Sequence, residues 1–599
     1  MHRHRTTHGL TVNAIAGTRV VLLGFDLSEQ RRKKCLGFAI QRVDHATDER
    51  VWLRGMKTFA ATDPGLGPGG QVSSRDHPFQ TFQWADYAVE PGNTYTYRVF
   101  ALTGTPQHLV EGAPTVVTVT AENEAGNPHS VYFNRGSVAT QQYAREFLDT
   151  PPDDFTDPVQ RDAALRWLSR GLEEALIAFI ARATGPEFEI HGAVYEFQWP
   201  RALDALRAAT GRGVRVNVIY DSIKNQPGTK NLAAIKKAKL EDCVKPRKNG
   251  TIMHNKFLVL SKGGVPQAVW TGSTNWTEQG IFGHLNCGHV VQGKKIAQQY
   301  RDYWSEVLRD LERDPDRAAV GALAARPPDP WTDKITTSFS PQPSTKVLDW
   351  YAKLAGGAQD GLFMTFAFGM NKRFLDVYQH DDDVLKLALM EKEGNGSGLA
   401  KAREQIAELR KRPNVVVALG NRIPLNGFDR WLRELDRITS PIQVHWIHSK
   451  FALIDPLGDD PIVITGSANF SDGSTNENNE NMLIIRGDKR VAEIYLTEFM
   501  RLFAHYVFRE TVAKRGIWNL KDFNPNNLDP TPAWSDRYFK GGQDQRRREY
   551  FSGRRTARLA GHVRARDAAR TRAGAPAPGR QAARRPGAGP RRRRRGGRT

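Results

Sequence analysis

Met253-His254-Asn255-Lys256-Phe257-Leu258-Val259-Leu260 and Ile447-His448-Ser449-Lys450-Phe451-Ala452-Leu453-Ile454-Asp455 decide the reading of this chain. Each is followed, after a turn, by a second apolar run with a shared ending: Val269-Trp270-Thr271-Gly272-Ser273-Thr274-Asn275-Trp276 and Ile462-Val463-Ile464-Thr465-Gly466-Ser467-Ala468-Asn469-Phe470. His254 and His448 lie 194 positions apart, and the same offset relates Lys256 to Lys450, Phe257 to Phe451, Gly272 to Gly466, Ser273 to Ser467 and Asn275 to Asn469. So many polar positions recurring at one offset, with no insertion inside either block, mark an internal duplication.

The spacing has a chemical reading. In a strand, residues i and i+2 share a face, so His254 projects with Lys256 and His448 with Lys450. The second run of each copy closes in Thr-Gly-Ser-x-Asn, where glycine permits a tight turn and serine and asparagine cap helices well. Such a turn brings a hydroxyl, an amide and backbone N–H groups to the carboxyl end of the strand, where open α/β sheets bind ligands. Two such halves facing each other supply two imidazoles, two ammonium groups and neutral donors. That inventory suits a phosphodiester.

Around these motifs, elements alternate. Helical periodicity at Ala163–Ala183 precedes a strand at Ile190–Phe197, a helix at Pro200–Thr210 and a strand at Val214–Tyr220. A helix at Lys346–Leu354, a strand at Gly361–Phe368, a helix near Asn371–Tyr378 and a strand at Asn414–Leu419 repeat that order. Within the second set, 381–412 reads as a charged insertion containing an amphipathic helix at Leu399–Arg410. The alternation predicts α/β halves with mostly parallel sheets over 135–325 and 331–510. The proline-rich Arg326-Pro327-Pro328-Asp329-Pro330 joins them.

Residues 8–125 read differently, as an all-β sandwich. Short alternating runs at Thr18–Leu23, Gly37–Val43, Phe79–Trp84, Thr94–Ala101 and Thr115–Thr120 are separated by turns such as Pro64-Gly65, Pro68-Gly69 and Pro91-Gly92-Asn93. Pro91–Val99 resembles the penultimate strand of a fibronectin type III-like sandwich. At the other end, 541–599 is rich in Arg, Ala, Gly and Pro and poor in large aliphatics, which predicts a disordered basic tail. It carries 19 arginines against three acids, a net of +16, so only +5 of the chain's formal +21 belongs to residues 1–540. The basicity therefore describes a tail suited to anionic membrane surfaces or nucleic acid more than a basic binding domain.

Length and composition set further bounds. A chain of 599 residues implies two to four domains. Cys35, Cys243 and Cys287 are too few and too scattered for a disulfide framework or a zinc knuckle, and the simple reading is a reducing, cytoplasmic setting with peripheral membrane contact open to the tail. No apolar run of about 18 residues could span a bilayer, and the basic first residues lead into no apolar signal segment.

Both motif segments resemble the HKD motif of the phospholipase D superfamily: His-x-Lys, four residues, Asp, then Gly-Ser-x-Asn. The second copy matches at His448, Lys450, Asp455, Gly466, Ser467 and Asn469; the first matches at His254, Lys256, Gly272, Ser273 and Asn275, with Ser261 in place of the Asp. The resemblance covers about 135–510. It implies a two-step reaction in which one histidine forms a phosphohistidine and the other protonates the leaving alcohol and then activates water or an acceptor alcohol. By the same resemblance His254 is the nucleophile and His448 the acid/base. Lys256, Lys450, Asn275 and Asn469 hold the phosphoryl oxygens, supported by Ser273 and Ser467. No metal or other cofactor is expected, and one chain suffices for one active site.

A family carboxylate often orients a histidine through its second ring nitrogen, and Glu480 is the candidate in the second copy. Matching Val290 to Met482 places Gly288 opposite Glu480, so the first copy reads as lacking both acidic partners, at Ser261 and at Gly288. Asp221 and Glu196 read as caps or surface ion pairs. His284, His289 and His445 read as packing or surface residues, and Trp276 and Phe470 as core beneath the turns.

Three substrate classes fit: a phospholipid headgroup giving phosphatidic acid, DNA or RNA, or a phosphate group bound without turnover. The intact histidines count against the last and the near-neutral body against nucleic acid. The absence of a membrane-spanning run counts against the cardiolipin synthase branch. The lipid reading is favoured by analogy, since two copies in one long chain are common among lipid-acting members.

Overall fold

A computed structural model describes residues 2–67, 70–223, 226–323, 327–328, 330–394, 398–420, 447–514 and 527–554. Pro68-Gly69, parts of the proline-rich join, His445 and the tail beyond Arg554 lie outside the described residues. Met1–Arg554 form one compact unit.

Two antiparallel sheets open the chain. His2–Thr7, Leu10–Ala16, Val21–Leu27 and Gln83–Asp86 make the first; Gly37–Asp44, Arg50–Trp52, Thr94–Thr105, His108–Glu111 and Thr115–Thr120 make the second. Their inward residues, among them Phe25, Phe38, Tyr97 and Val99, share a core. The domain begins before residue 8, because His2–Thr7 pairs in register with Leu10–Ala16. Thr18–Leu23 spans the turn between two strands instead of forming one.

Two seven-stranded sheets follow. His129–Phe133 (β1), Phe188–Val194 (β2), Arg215–Asp221 (β3), Val244–Arg247 (β4), Lys256–Lys262 (β5), Val265–Gly272 (β6) and Cys287–Gln292 (β7) lie in the order β1-β7-β6-β5-β2-β3-β4. Ile335–Ser340 (β8), Gly361–Phe366 (β9), Leu385–Met390 (β10), Val415–Leu419 (β11), Phe451–Ile454 (β12), Ile462–Gly466 (β13) and Glu480–Arg486 (β14) lie in the order β8-β14-β13-β12-β9-β10-β11. The two orders are the same. The first sheet also recruits β1, upstream of residue 135.

Each sheet is mixed, not mostly parallel. Strands β2, β3 and β4 are parallel, as are β9, β10 and β11, whereas the motif strands pair antiparallel. The cause is connection length: β5 and β6 are joined by the Gly263-Gly264 turn, which leaves no room for a crossover.

The presumed insertion at 381–412 is also corrected. It holds β10 and the helix Leu399–Lys411, which occupy the places of β3 and the helix Gln226–Ala238 in the first half. The counterpart of Val415–Leu419 is therefore β4. Leu385-Lys386-Leu387-Ala388-Leu389-Met390 escaped notice because all six are helix formers; burial of every one on a central strand overrides that propensity. The apolar run at Ala163–Ala183 is two helices, Pro158–Ser169 and Leu172–Ala181, broken where Arg170 and Gly171 both adopt positive φ.

The start of the basic tail is corrected too. Gly542–Phe551 is a helix whose Tyr550 and Phe551 are buried. Asn13 Nδ2 donates to Phe551 O at 2.9 Å, and the Arg548 guanidinium lies 3.9 Å over the Phe539 ring while paired with Asp26. Two aromatics suffice to dock a segment whose overall composition is polar.

Candidate active site

The two sheets meet at their motif strands. Met253 forms a parallel bridge with Asn479, and Ile447, at +194 from Met253, forms one with Leu285, at −194 from Asn479. The residue before each histidine is thus tied to the opposite half. A buried carboxylate fixes the same residue from its own half: Asp221 Oδ2 accepts from Met253 N at 3.0 Å, and Glu391 Oε2 accepts from Ile447 N at 2.9 Å. Both carboxylates are fully buried. Asp221 is therefore an anchor of the motif and not a surface group.

These ties bring the His254 and His448 rings to 6.3 Å between centroids, 74° apart in plane. Their supports cross between halves. His254 Nδ1 lies 2.8 Å from Glu480 Oε2, and His448 Nδ1 lies 2.9 Å from Asn286 Oδ1. Both partners accept, so each histidine donates through Nδ1 and keeps Nε2 for the cleft. The orientation of the Asn286 amide is set by its own bonds: Nδ2 donates to Gly280 O at 2.7 Å, and Ser273 Oγ donates to Oδ1 at 2.8 Å.

Asn286 corrects the expectation of a missing partner. Strand register pairs Gly272 with Gly288 and Gly466 with Met482, so Gly288 corresponds to Met482 and Asn286 to Glu480. Glu480 serves the first copy's histidine, not its own. Gly288 has a packing reason: a Cβ there would meet Trp270 at 2.4 Å.

The loss of Asp at Ser261 also lies away from the cleft. Asp455 ends its strand at positive φ, and its carboxylate accepts backbone N–H bonds from Gln359, Asp360 and Gly361 at 2.7–3.1 Å. It caps the start of β9, remote from the histidines by the length of β12. Ser261 stands at a register shift between β5 and β6 and does not carry out that capping.

The other motif residues divide between cleft and frame. Lys256 Nζ donates to His254 O and Lys450 Nζ to His448 O, so each lysine folds back on its own motif. Asn275 Oδ1 and Asn469 Oδ1 are buried atoms with no hydrogen-bond partner among the described residues. Ser273 and Ser467 belong to the frame: each Oγ accepts from the backbone N–H of the following strand, Cys287 N at 3.1 Å and Asn481 N at 3.0 Å. Gly272 and Gly466 are required by close approach, since a Cβ on either would sit 2.2 Å from Cys287 O or Asn481 O. Trp276 and Phe470 are buried beneath the turns.

Two further residues lie near the cleft: Tyr195, which was not singled out by sequence, and His284, read from sequence as a packing or surface residue. The Tyr195 ring lies 5.0 Å from His254, with Lys256 Nζ 5.2 Å above its centre. The buried His284 ring lies 5.7 Å from His448. His289 is a buried packing residue, hydrogen-bonded to His129 and to Tyr495.

The electrostatics of the two histidines differ. Burial lowers the pKa of His254, Glu480 opposes that shift, and Lys256 and Lys450 add to it. His448 is held well below the ordinary imidazole value by burial and then by Lys450, His284, Lys256 and His254. Among the described residues no group of three His, Cys, Asp or Glu could hold a metal ion, and no helix is long and apolar enough to cross a membrane.

Residues 176–308 and 405–503 match the family described as cardiolipin synthase, PLD-like domain. These segments include His254, Lys256, Asn275 and Asn286 in one and His448, Lys450, Asn469 and Glu480 in the other. No curated protein matches the chain in sequence. Among solved structures, the chain is similar to polyphosphate kinase from Porphyromonas gingivalis (12% identity, 52% of this chain and 42% of that chain, TM-score 0.35). It is also similar to phosphatidylserine synthase from Haemophilus influenzae (14% identity, 58% and 90%, TM-score 0.41) and to the phospholipase D family member Nuc from Salmonella typhimurium (21% identity, 28% and 94%, TM-score 0.20). The chain thus spans less than half the length of the polyphosphate kinase.

Proposed function

We propose that this chain, two segments of which match a PLD-like domain family, hydrolyses a phosphodiester through a phosphohistidine formed on His254. The observation that carries this reading is the crossed support of the two imidazoles, Glu480 on His254 and Asn286 on His448. Attack of His254 Nε2 on phosphorus makes that ring cationic, and a buried carboxylate on Nδ1 stabilises the developing charge. An amide on His448 fixes the ring without holding a proton on it, which suits a group that must give its proton away.

His254 Nε2 bonds to phosphorus, the ester P–O bond breaks, and the departing oxygen takes the proton of His448 Nε2. Water then attacks phosphorus, His448 Nε2 takes back a proton, the P–N bond breaks, and a phosphomonoester leaves. Lys256, Lys450 and the amides of Asn275 and Asn469 hold the non-bridging oxygens. In this reading the two half-sites are a duplicated unit sharing one centre. The N-terminal domain is a fibronectin type III-like packing module; the Tyr95 hydroxyl, accepting from Glu90 N at 2.8 Å, supports it by tying the strand to the loop before it.

For substrate we favour a phospholipid headgroup. The near-neutral body supports this, as does Phe368, an exposed aromatic two residues past the end of β9 on the cleft-facing edge of the second sheet. The test is full-length protein on phosphatidylcholine vesicles and on single- and double-stranded DNA. Headgroup release abolished by His254→Ala is expected; DNA nicking without lipid turnover would overturn the lipid assignment.

A further inference from the structure

The two histidines are not supported alike, and the difference extends one residue beyond their hydrogen-bond partners. Two positions before Glu480 stands Asn478, whose Nδ2 reaches Glu480 Oε1 at 3.4 Å. Two positions before Asn286, at the same offset of 194, stands His284. One histidine is thus backed by an amide–carboxylate pair, and the other by the Asn286 amide with the His284 ring 5.7 Å away.

His284 is held firmly in that place. It follows the single turn Gln279–Gly283, and its N–H donates to Gln279 O at 2.8 Å. Its carbonyl accepts from Asn134 Nδ2 at 2.6 Å, and Gly136 packs so closely that a Cβ there would sit 2.8 Å from it. The ring has no solvent exposure, whereas His254 and His448 each retain some. It is therefore shielded from solvent beside His448. The charged and titratable groups around this pair are Lys450, Lys256 and His254, then Glu480 beyond His254, and Arg501, whose guanidinium donates to Asn134 O at 2.8 Å. Arg501 is paired with the buried Glu498, so the cations left facing the two imidazoles are Lys450 and Lys256, and Glu480 is bound to the other histidine.

We propose that His284 is a positioning residue for His448, a second imidazole that confines this half of the site to one positive charge and keeps His448 ready to release its Nε2 proton. Two imidazoles this close in a water-poor cleft cannot both be charged cheaply, so protonation of either opposes protonation of the other. The role rests on the acid/base reading of His448 in the proposed function, and the experiment separates the two.

The direct readout is titration of full-length protein labelled with 13C at histidine Cε1, with the His448 resonance identified by its loss in His448→Asn. In His284→Asn, which installs the residue of the other half, the His448 titration moves up by about half a pH unit or more. His284→Gln serves if the first variant does not fold. In parallel, the pH profile of bis-p-nitrophenyl phosphate hydrolysis keeps its low-pH limb and shifts its high-pH limb upward. An unmoved His448 resonance in the folded variants overturns the inference. Turnover that survives His448→Ala with the resonance shift intact would instead overturn the acid/base reading and leave the pairing standing.

Discussion

Replacing Glu480 by glutamine probes the asymmetry between the two histidines. Glutamine keeps the size of the side chain and an oxygen able to accept from His254 Nδ1, and it removes the charge. Glu480 is fully buried and 2.8 Å from that nitrogen. Two unit charges about 4 Å apart at an effective dielectric of about 20 attract by ~4 kcal/mol. With roughly half of the imidazolium charge developed when Nε2 meets phosphorus, the carboxylate is worth about 2 kcal/mol in the transition state, or roughly 30-fold in kcat. We expect that loss in single-turnover hydrolysis of bis-p-nitrophenyl phosphate, with KM and thermal midpoint close to wild type. A fall of less than about threefold would show that Glu480 does not stabilise a cationic His254, because a charge stabilising the attacking ring cannot be removed so cheaply.

Other expectations follow from the frame around the cleft. Asp455→Ala leaves three backbone N–H groups at the start of β9 without their acceptor and should cost roughly 1–3 kcal/mol in urea unfolding, with kcat per folded molecule unchanged. Ser261→Asp, which completes the first motif, should leave kcat within about twofold of wild type in the same assay, since that position lies at the far end of the strand from the histidine. Asp221→Asn weakens the bond to Met253 N from charge-assisted to neutral and should cost about 1 kcal/mol in urea unfolding, with kcat lowered as the residue before His254 loosens. Acid should destabilise the fold through buried neutral histidines. Burial lowers His129 to about 4 and His191 to about 3. The unfolded chain therefore takes up more protons below the ordinary imidazole value, so their contribution is complete above about pH 6.5 and is lost as pH falls toward the folded values. Thermal midpoints measured across that range should show the decline, and His191→Asn should flatten it.

The motif residues were legible because a constant offset needs no structure to be seen. The same offset continues past the motifs: 194 positions before Glu480 is Asn286. Matching Val290 to Met482 by apolar likeness slips that register by two and lands on Gly288. The crossing of supports between halves was not legible, because a local repeat does not say which copy's residues face which. Asp455 belongs to the recognisable motif yet caps a strand start, a role that becomes visible only with the three amides of 359–361 in place. Likewise β10 hides among helix formers, and Tyr550 and Phe551 dock a segment whose arginines dominate its composition. In each case tertiary burial overrides a local signal.

His254, backed by Glu480, should carry the phosphoryl group during turnover. Trapping full-length protein during turnover of a 32P-labelled diester, in wild type and in His448→Ala, and locating the labelled histidine by mass spectrometry tests this assignment. Label is expected on His254, accumulating when His448 is absent. Label on His448, or turnover with no phosphorylated histidine, would contradict it.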